Sequence, residues 1–434
     1  MRFTALLLAA TTAVVVHTAQ AETSTDRYLA QFKLPPAPAR PKPTLLRTGD
    51  RLAICGDSIT EQKLYSRIME TYLTVCVPEL NVTVRQYGWS GEQAGGFLHR
   101  MTNDVLRFNP TIATTCYGMN DHRYVPYTQE IGDAYRANMD DVVRSFQAHG
   151  VRVVLGTAGP VGKMPSWVKS AKGTVLDLNL NLAELRNIDL QLAATEKTAG
   201  FADVFRPMLM QEFRARSYYG TNYAVPGKDG VHPGLAGQTM MAWAFLHALG
   251  VYGQIGTITV SLDSGKATAT TGHTVTTSGP GTVTLHSTRY PFVAPSADPA
   301  DDNNIRSAFQ WVPFEEELNR FLLVVKDALS SARYEVKWGD ITRRYTGAEL
   351  RDGVNLAQDF TVTPFDAAFH AADSAVAAKQ AYETKQIKEQ FHGEAGRTDM
   401  EATVQRTEAE RASLAAAITA AMVPVDHTIT ITRE

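Results

Sequence analysis

The sequence lacks the excess of positive charge that a nucleic-acid-binding protein needs. Its 434 residues include 42 Lys and Arg against 45 Asp and Glu, which gives a formal net charge of −3. A protein that neutralises a phosphate backbone carries a concentrated basic surface. We therefore expect no nucleic-acid partner.

Cysteine is scarce, with three residues in the whole chain. Three cysteines cannot all pair within one chain, and none lies in a Cys-x-x-Cys motif, so disulfides are not the scaffold of this fold. Cys55 and Cys116 end apolar runs, and we interpret them as small buried hydrophobic residues. A bridge between these two residues is the alternative.

The histidines form no metal-binding pattern. The 11 His residues are scattered along the chain, and no His-x-x-x-His pair occurs. Such a pair places two ligands on one face of a helix, as zinc enzymes require. We therefore expect no catalytic metal.

A long apolar run is present only at the N-terminus. Arg2 precedes an apolar run from Ala5 to Val16, and Ala19-Gln20-Ala21 supplies small residues at a cleavage position. This order is typical of a secretory signal peptide, and the run is shorter than the about 20 residues that a membrane-spanning helix needs. We predict a signal peptide over residues 1–21, and a mature protein that is secreted or periplasmic and has no membrane span.

Proline is concentrated just after this segment, between Pro35 and Pro43. Proline at this density suits neither a helix nor a central strand. We predict that residues 22–46 form a linker that runs as an extended, polyproline-like tether, with the folded part beginning near Leu46.

Residues 47–253 show apolar strand-like runs that alternate with helical patterns, such as those over 131–149 and 178–198. Such alternation indicates βαβ units. The predicted strands are Arg51 to Cys55, Val82 to Gln86, Thr111 to Tyr117, Val151 to Thr157 and Ala202 to Phe205. We predict an α/β fold: a doubly wound parallel sheet with helices on both faces, in the three-layer, flavodoxin-like arrangement.

Residues 254–434 have a different composition. Runs rich in Thr and Val, separated by Gly and Pro, predict antiparallel strands. These runs are Thr257 to Val260, Ala267 to Thr276, Thr282 to Ser287, Phe321 to Val325, Arg333 to Trp338 and Thr342 to Tyr345. Residues 366–421 predict two helices broken around Gly393 and Gly396, and His427 to Thr432 a last strand. We predict a β-rich C-terminal domain with a helical segment and a terminal strand.

The segment Gly56-Asp57-Ser58-Ile59-Thr60 follows the first predicted strand and opens a helix. A serine at the carboxyl end of the first strand of an open parallel sheet stands where such sheets bind ligands. The helix dipole would also stabilise an anion formed beside it. The alternative is structural, because Ser58 with Glu61 three residues later also fits a helix capping box.

A base for such a serine occurs in the segment Asp229-Gly230-Val231-His232-Pro233. A serine hydroxyl is a weak nucleophile, so it needs a base and a group that orients the base. Asp229 can accept a hydrogen bond from Nδ1 of His232 while Nε2 points at Ser58. The alternative is a turn in which Asp229 is an ordinary loop residue and His232 is exposed.

Two further segments follow the second and third strands, Gly88-Trp89-Ser90-Gly91-Glu92 and Gly118-Met119-Asn120-Asp121. The backbone N–H of Gly91 and the amide of Asn120 are candidate donors to an oxyanion. Taken singly, a glycine turn and an Asx turn also explain these segments. Aromatic residues in or near the loops could either stack on a sugar ring or pack in the core; they are Trp89, Tyr124, Tyr127, Tyr218, Tyr219 and Tyr223.

Together the four segments resemble the blocks of the GDSL esterases in their SGNH hydrolase branch, over about residues 47–253. The resemblance implies that Ser58 is the nucleophile, His232 the acid/base and Asp229 its orienting carboxylate. It implies an oxyanion hole made of the Ser58 and Gly91 N–H groups and the Asn120 amide. One departure is the isoleucine after Ser58, where the family often has leucine.

With the signal peptide, this resemblance implies a secreted serine ester hydrolase that needs no cofactor. Similar exported family members with an added β domain often deacetylate polysaccharides, so the expected substrate is an acylated carbohydrate and the expected activity that of a carbohydrate O-acetylesterase. A lipase or thioesterase acting on longer acyl chains is one alternative. A non-catalytic glycan-binding envelope protein is another, because residues 254–434 have no assigned chemistry.

Overall fold

The computed structural model describes residues 26–434, and the predicted signal peptide over residues 1–21 lies outside the described residues. The first sheet has five parallel strands in the order β2-β1-β3-β4-β5. They are β1 (Arg51–Gly56), β2 (Thr83–Gly88), β3 (Ile112–Tyr117), β4 (Arg152–Thr157) and β5 (Gly200–Ala202). This is the flavodoxin-like strand order, so the predicted doubly wound α/β fold is confirmed.

Helices cover both faces of this sheet. They are α1 (Ser58–Glu61), α2 (Tyr65–Val75), α3 (Ala94–Asp104), α4 (Gln129–Ala148), α5 (Val175–Thr195), α6 (Phe205–Tyr219) and α7 (Leu235–Ala248). Alternate residues of β1 enter different apolar clusters, Leu52 and Ile54 on one face, Ala53 and Cys55 on the other. A strand buried on both faces is apolar throughout, which is why the sequence shows a continuous apolar run there.

The fifth strand lies earlier than predicted. We predicted a strand from Ala202 to Phe205, whereas the structure has Gly200–Ala202 as β5 and begins α6 at Phe205. The N–H groups of Val204 and Phe205 donate to Oγ1 of Thr157 at 3.1 and 3.0 Å, so this hydroxyl satisfies N–H groups at the start of the helix.

The segment before Leu46 is packed against the α/β unit rather than free. Phe32 is 1% exposed and meets Phe205 edge-on, and Tyr28 stacks on Phe213 at 4.9 Å between ring centroids. Residues 34–41 contain neither helix nor strand, as the prolines predicted. Two aromatic side chains near the start of the predicted linker therefore anchor it on α6.

The C-terminal half contains two more sheets, with strand orders β13-β10-β6-β7 and β12-β11-β14-β9-β8. Their strands are β6 (Gln254–Val260), β7 (Ala267–Ala269), β8 (His273–Gly279), β9 (Thr282–Ser287), β10 (Arg320–Val325), β11 (Arg333–Trp338), β12 (Ile341–Thr346), β13 (Val354–Asn355) and β14 (Val425–Arg433). The predicted run from 267 to 276 splits between the two sheets. One pair, β6 with β10, is parallel rather than antiparallel.

The remaining helices are α8 (Phe314–Leu318), α9 (Gly347–Asp352), α10 (Leu356–Asp359), α11 (Asp366–Lys385), α12 (Glu394–Thr398) and α13 (Met400–Ala421). A π-helical turn over Gln386–Phe391 extends α11. The predicted break lies at Gly393 and Gly396, where a Cβ atom would lie 1.9 and 2.0 Å from backbone oxygens. Among the described residues, no helix is long and apolar enough to cross a membrane.

One apolar core joins the two halves of the chain. Phe321 and Trp338 of the C-terminal sheets belong to the same buried cluster as Ile54 and Leu246 of the α/β unit. On the opposite face, Ile387 enters the cluster built on α3 and α4. All three cysteines are free and buried, so the alternative of a bridge between Cys55 and Cys116 is not realised.

Candidate active site

Three neighbouring strands deliver their loops to the same edge of the first sheet. Gly56 at the end of β1 is in register with Gly88 at the end of β2 and with Cys116 near the end of β3. The segments that follow these strands therefore leave the sheet at one level. This edge is the carboxyl edge, where open parallel sheets bind ligands.

The structure brings Ser58, His232 and Asp229 into one hydrogen-bonded chain. Oγ of Ser58 lies 2.8 Å from Nε2 of His232, and Nδ1 of His232 lies 2.7 Å from Oδ2 of Asp229. The Asp229 carboxylate can only accept, so the imidazole donates from Nδ1 and leaves Nε2 to accept the serine proton. This is the arrangement that activates a serine for acyl transfer.

Asp229 is held in its charged form. Partial burial acts to raise the pKa of Asp229, but the hydrogen bonds it accepts outweigh burial and keep that pKa below its ordinary value. The N–H groups of Val231 and His232 donate to Oδ1 at 2.9 and 2.8 Å, and the imidazole donates to Oδ2. The alternative, a turn in which Asp229 is an ordinary loop residue, is thus not realised.

Ser58 does not cap the helix that it opens. Asp57 is the N-cap, with Oδ1 accepting from the N–H of Ile59 at 2.9 Å. The Glu61 carboxylate pairs with Lys388, so the alternative of a capping box is not realised and the Ser58 hydroxyl is left for His232. Burial raises the pKa of Asp57 to about 7 against the opposing hydrogen bond from Ile59.

The two glycines of the second segment have separate roles. A Cβ atom on Gly88 would lie 2.2 Å from the backbone nitrogen of Glu61, so glycine is required there for the loop to pass close to α1. Gly91 has a φ of +74° and open space around its Cα. The N–H groups of Ser58 and Gly91 donate to no described residue, which leaves both available to an oxyanion.

The Asn120 amide is already hydrogen-bonded. Its Nδ2 donates to the carbonyl of Glu92 at 3.1 Å and to Oδ2 of Asp57 at 3.3 Å. The second contact is at the long end of the hydrogen-bond range, so an anionic oxygen would compete for this proton. The structure therefore fixes the Asn120 side chain between the first two segments.

Asp121 fastens the second and third segments to each other. Its Oδ1 accepts from the N–H of Ala94, the first residue of α3, at 2.9 Å, and its Oδ2 accepts from the N–H of Gly118 at 3.0 Å. Burial raises the pKa of Asp121 to about 6, although both N–H groups act to lower it. This carboxylate stabilises the loops rather than facing Ser58.

Trp167 is an aromatic residue of the site that the sequence analysis missed. Its indole lies 5.9 Å from the His232 ring between centroids, and Trp167 is 48% exposed. It stands in the loop between β4 and α5, which also leaves the carboxyl edge of the sheet. Its position after the fourth predicted strand was the signal that could have found it.

The aromatic residues in or near the loops differ in exposure: Tyr124 and Tyr223 are buried, Tyr218 is exposed, and Trp89, Tyr127 and Tyr219 are half-buried. Trp89 lies against His392 at 4.9 Å between ring centroids, and Tyr124 lies on His122 at 4.5 Å. Tyr223 is fully buried beneath Tyr219. Within residues 26–434, no cluster of three His, Cys, Asp or Glu side chains could hold a metal ion.

Residues 54–240 match the model of the GDSL-like Lipase/Acylhydrolase family. No curated protein matches the chain. The match spans all four segments, including Ser58, Gly91, Asn120 and His232.

Several solved structures are similar to this chain. A gut microbial diltiazem-metabolizing enzyme has a TM-score of 0.70 and 20% identity, over 91% of this chain and 99% of its own. Axe2, an acetylxylan esterase from Geobacillus stearothermophilus, has a TM-score of 0.39 and 22% identity, over 48% of this chain and 97% of its own. An alpha/beta hydrolase from the metagenome of Lake Arreo, Spain, has a TM-score of 0.38 and 20% identity, over 48% of this chain and 98% of its own.

The first of these structures shares the fold of the α/β unit and of the C-terminal half together. The family match covers most of the α/β unit and ends within α7. Over residues 54–240, the chain therefore carries a domain of the GDSL-like lipase/acylhydrolase family.

Proposed function

We propose that this protein is a serine ester hydrolase whose nucleophile is Ser58. The observation that carries the proposal is the chain of hydrogen bonds from Oγ of Ser58 through His232 to Asp229, at 2.8 and 2.7 Å. A serine outside such a chain has no base to accept its proton.

The reaction begins when Ser58 attacks the ester carbonyl and its proton passes to Nε2 of His232. The carbonyl oxygen becomes an oxyanion, to which the N–H groups of Ser58 and Gly91 and the Asn120 amide donate. The bond to the alcohol then breaks, and His232 returns the proton to the leaving oxygen. Water, deprotonated by His232, attacks the acyl-enzyme, and His232 then gives this proton to Oγ of Ser58 as the acid is released.

Acetylated carbohydrate is the substrate class that we propose. Trp167 presents an exposed indole beside His232, and a flat aromatic face is suited to the apolar face of a sugar ring. We further propose that the protein is secreted or periplasmic, which would bring it to polysaccharide outside the cytoplasm.

The nucleophile is tested with p-nitrophenyl acetate and Ser58→Ala. We expect kcat to fall by about 10³-fold or more, since loss of one member of such a triad removes nearly all of its contribution. Ser166→Ala is the matched control, because Ser166 is an exposed serine that is not a member of the hydrogen-bonded chain. Equal rates for Ser58→Ala and the unsubstituted protein would remove Ser58 from the mechanism.

The acyl group and alcohol are tested with a substrate panel. We expect release of acetate from acetylated polysaccharides to exceed hydrolysis of esters with acyl chains of eight or more carbons. Faster turnover of the long chains would favour a lipase or thioesterase. Diltiazem belongs in the panel because a protein with the same fold along nearly the whole chain metabolises it.

The role of Trp167 is tested by comparing two acetate esters. We expect Trp167→Ala to raise KM for an acetylated oligosaccharide by about tenfold, the loss of about 1.4 kcal/mol of stacking, and to leave kcat/KM for ethyl acetate nearly unchanged. Trp167→Phe keeps a ring and should retain most of the affinity. Equal losses on both esters would assign Trp167 to the chemistry rather than to sugar binding.

A further inference from the structure

A lysine from the C-terminal half reaches the helix that Ser58 opens. Nζ of Lys388 lies 2.8 and 2.9 Å from the two carboxylate oxygens of Glu61, the last residue of α1. The same carboxylate accepts a hydrogen bond from the N–H of Ser90. Since Ser90 directly precedes Gly91, one carboxylate joins α1, the Gly91 loop and Lys388.

The side of this loop is also covered by the C-terminal half. Nζ of Lys388 lies 5.1 Å from the centroid of the Trp89 ring, within cation–π distance. The His392 ring meets Trp89 edge-on at 4.9 Å, and Nε2 of His392 lies 2.8 Å from Oδ2 of Asp104 at the end of α3. Trp89, the residue before Ser90, is therefore held by two side chains that lie far beyond the family match.

The element that carries Lys388 has an unusual geometry. Residues Gln386–Phe391 form a π-helical turn, which has one more residue than an α-helical turn. Ile387 and Phe391 anchor it in the apolar cluster of α3 and α4. The extra residue rotates the chain by about 100°, so the turn departs from the face that a continuous α-helix would present. Such turns are frequent at functional sites.

The ion pair between Lys388 and Glu61 adds little to folding. The two side chains are 29% and 19% exposed, and pairs that solvent reaches contribute about 0–1 kcal/mol. The α11 side chains contribute to the interface elsewhere, for example through Lys379, which is 1% exposed and lies between Glu70 and Glu383. Lys388 therefore affects the position of the Glu61 carboxylate more than the stability of the fold.

We propose that Lys388 is a positioning residue of the oxyanion hole, which holds Glu61 against the Ser90 N–H and so fixes the Gly91 N–H relative to Ser58. This proposal rests on the proposed function of Ser58 and Gly91. It gives the C-terminal half a part in catalysis, because the hydrolase domain alone does not contain the group that orients its own loop.

The charge of Glu61 provides a second readout. Burial acts to raise the pKa of Glu61, but Lys388 and the Ser90 N–H hold that pKa below its ordinary value. The charged groups that face Glu61 are Lys388 and Lys63, and Lys63 has its ammonium on the Glu61 carbonyl. Without Lys388 the pKa of Glu61 should rise, and protonated Glu61 no longer accepts as strongly from Ser90. The acid limb of the activity profile should then move to higher pH.

The experiment uses the full chain, p-nitrophenyl acetate and Lys388→Met. We expect kcat to fall about tenfold, a fraction of the 10²- to 10³-fold loss on removing one oxyanion donor, with KM changed by less than about twofold. The acid limb of the pH profile should move upward, and the melting temperature should change by about 2 °C or less. Lys388→Arg keeps the charge and should restore most of kcat.

The matched control is Arg67→Met. Arg67 pairs with Asp373 of α11 and joins the same two parts of the chain, with side chains 36% and 22% exposed. We expect it to leave kcat and the pH profile unchanged. If Lys388→Met itself folds poorly, Lys388→Gln replaces it, since glutamine keeps a donor but no charge.

Two results would overturn the positioning role. The first is an unchanged kcat in Lys388→Met while Ser58→Ala is inactive, which leaves the proposed function standing. The second is an equal loss of kcat in Arg67→Met, which makes the whole interface structural support. If Ser58→Ala keeps its activity, the proposed function fails, and the positioning role fails with it.

Discussion

At the residue scale, the site depends on which hydrogen bonds the two carboxylate oxygens of Asp229 accept. Oδ1 accepts from two backbone N–H groups and Oδ2 accepts from the His232 ring. The two hydrogen bonds to Oδ1 set the rotamer of the Asp229 side chain, and this rotamer fixes Oδ2 beside the His232 ring. The orientation of the imidazole is therefore set by hydrogen bonds within the local loop Asp229–His232.

Asp229→Asn should leave this geometry intact and reverse one hydrogen bond. The asparagine oxygen would accept from the backbone, so its NH₂ would face Nδ1 and force the proton onto Nε2, which then cannot accept from Ser58. We expect kcat for p-nitrophenyl acetate to fall about 10³- to 10⁴-fold with KM little changed. Asp263→Asn, at an exposed turn, is the control. A loss below tenfold would show that Asp229 does not set the tautomer.

Sequence alone could predict which residues meet at the site but not every role. Ser58, Gly91 and Asn120 each follow a strand that the apolar pattern identified, so their common edge could be inferred. The choice between Asp57 and Ser58 as helix cap could not, because both residue types favour that position. Trp167 lies in a loop without periodicity, and only the folded chain brings it beside His232.

At the element scale, the end of β2 and the last two residues of α1 are packed so closely that a side chain does not fit between them. A Cβ atom on Gly88 would lie 2.2 Å from the nitrogen of Glu61 and 2.5 Å from the carbonyl carbon of Thr60. These are backbone atoms of the helix that Ser58 opens. These atoms can make room for a side chain at position 88 only if the helix itself moves.

Gly88→Ala should therefore affect both stability and activity. We expect a loss of about 1–3 kcal/mol in the free energy of unfolding, the usual cost of overpacking, together with a lower kcat because α1 carries Ser58. Chemical denaturation and p-nitrophenyl acetate kinetics measure the two effects. Gly279→Ala is the control, because nothing lies within 4 Å of a Cβ there and its φ is not positive. Wild-type values for Gly88→Ala would contradict the close contact.

The elements that could be predicted are those with a local signature. Four predicted strands are apolar runs that end at or near Gly, Tyr or Thr, and the observed strand ends lie within two residues of the predicted ones. These strands are predicted to begin at Arg51, Val82, Thr111 and Val151. β5 has only three residues, too few for a pattern, and the apolar Val204 and Phe205 beside it belong to a helix. The parallel pairing of β6 and β10 joins segments about 65 residues apart, which no local pattern reports.

At the scale of the whole molecule, the C-terminal sheets are tied to each other by buried neutral histidines. Nε1 of Trp338 donates to Nδ1 of His427, and Nε2 of His427 lies 2.9 Å from Oγ of Ser287. That hydroxyl lies 2.8 Å from Nδ1 of His273, whose Nε2 lies 3.0 Å from the carbonyl of Ile255. Each nitrogen has one role, so His427 and His273 fit this chain only when neutral.

Stability should consequently fall in mild acid. Burial, assisted by His273, lowers the pKa of His427 to about 3, whereas an unfolded chain has the ordinary value of 6.5. Between these values the unfolded state binds more protons than the folded state. The contribution of neutral His427 to the free energy of unfolding is therefore fully present above about pH 6.5 and is lost as the pH falls toward 3. The slope from this one residue is up to about 1.4 kcal/mol per pH unit.

His427→Gln should reduce that slope, since glutamine keeps a donor and an acceptor but does not titrate. We expect the difference in melting temperature between pH 7.5 and pH 5 to be smaller than in the unsubstituted protein. His370→Gln, at an exposed position, should leave the difference unchanged. An undiminished pH dependence in His427→Gln would show that His427 is not a source of acid sensitivity.

The two-part organisation could be predicted from composition, but the contact between the parts could not. The change near Gly256 and the Ala- and Glu-rich stretch after 366 have local signatures. The pairing of Lys388 with Glu61 joins residues 327 positions apart, and the two halves share one apolar core. Charged and apolar residues in a sequence indicate which positions lie on the surface and which in the core, but they do not indicate which residues will contact each other.

The central claim is that Ser58 is the activated nucleophile, and covalent labelling tests it most directly. A fluorophosphonate probe reacts with a serine that a neighbouring base activates, and peptide mass spectrometry locates the adduct. We expect one adduct per chain, on the peptide that contains Ser58, with loss of labelling in His232→Ala and loss of esterase activity in proportion to labelling. Esterase activity that persists in fully labelled protein, or an adduct on another serine, would contradict it.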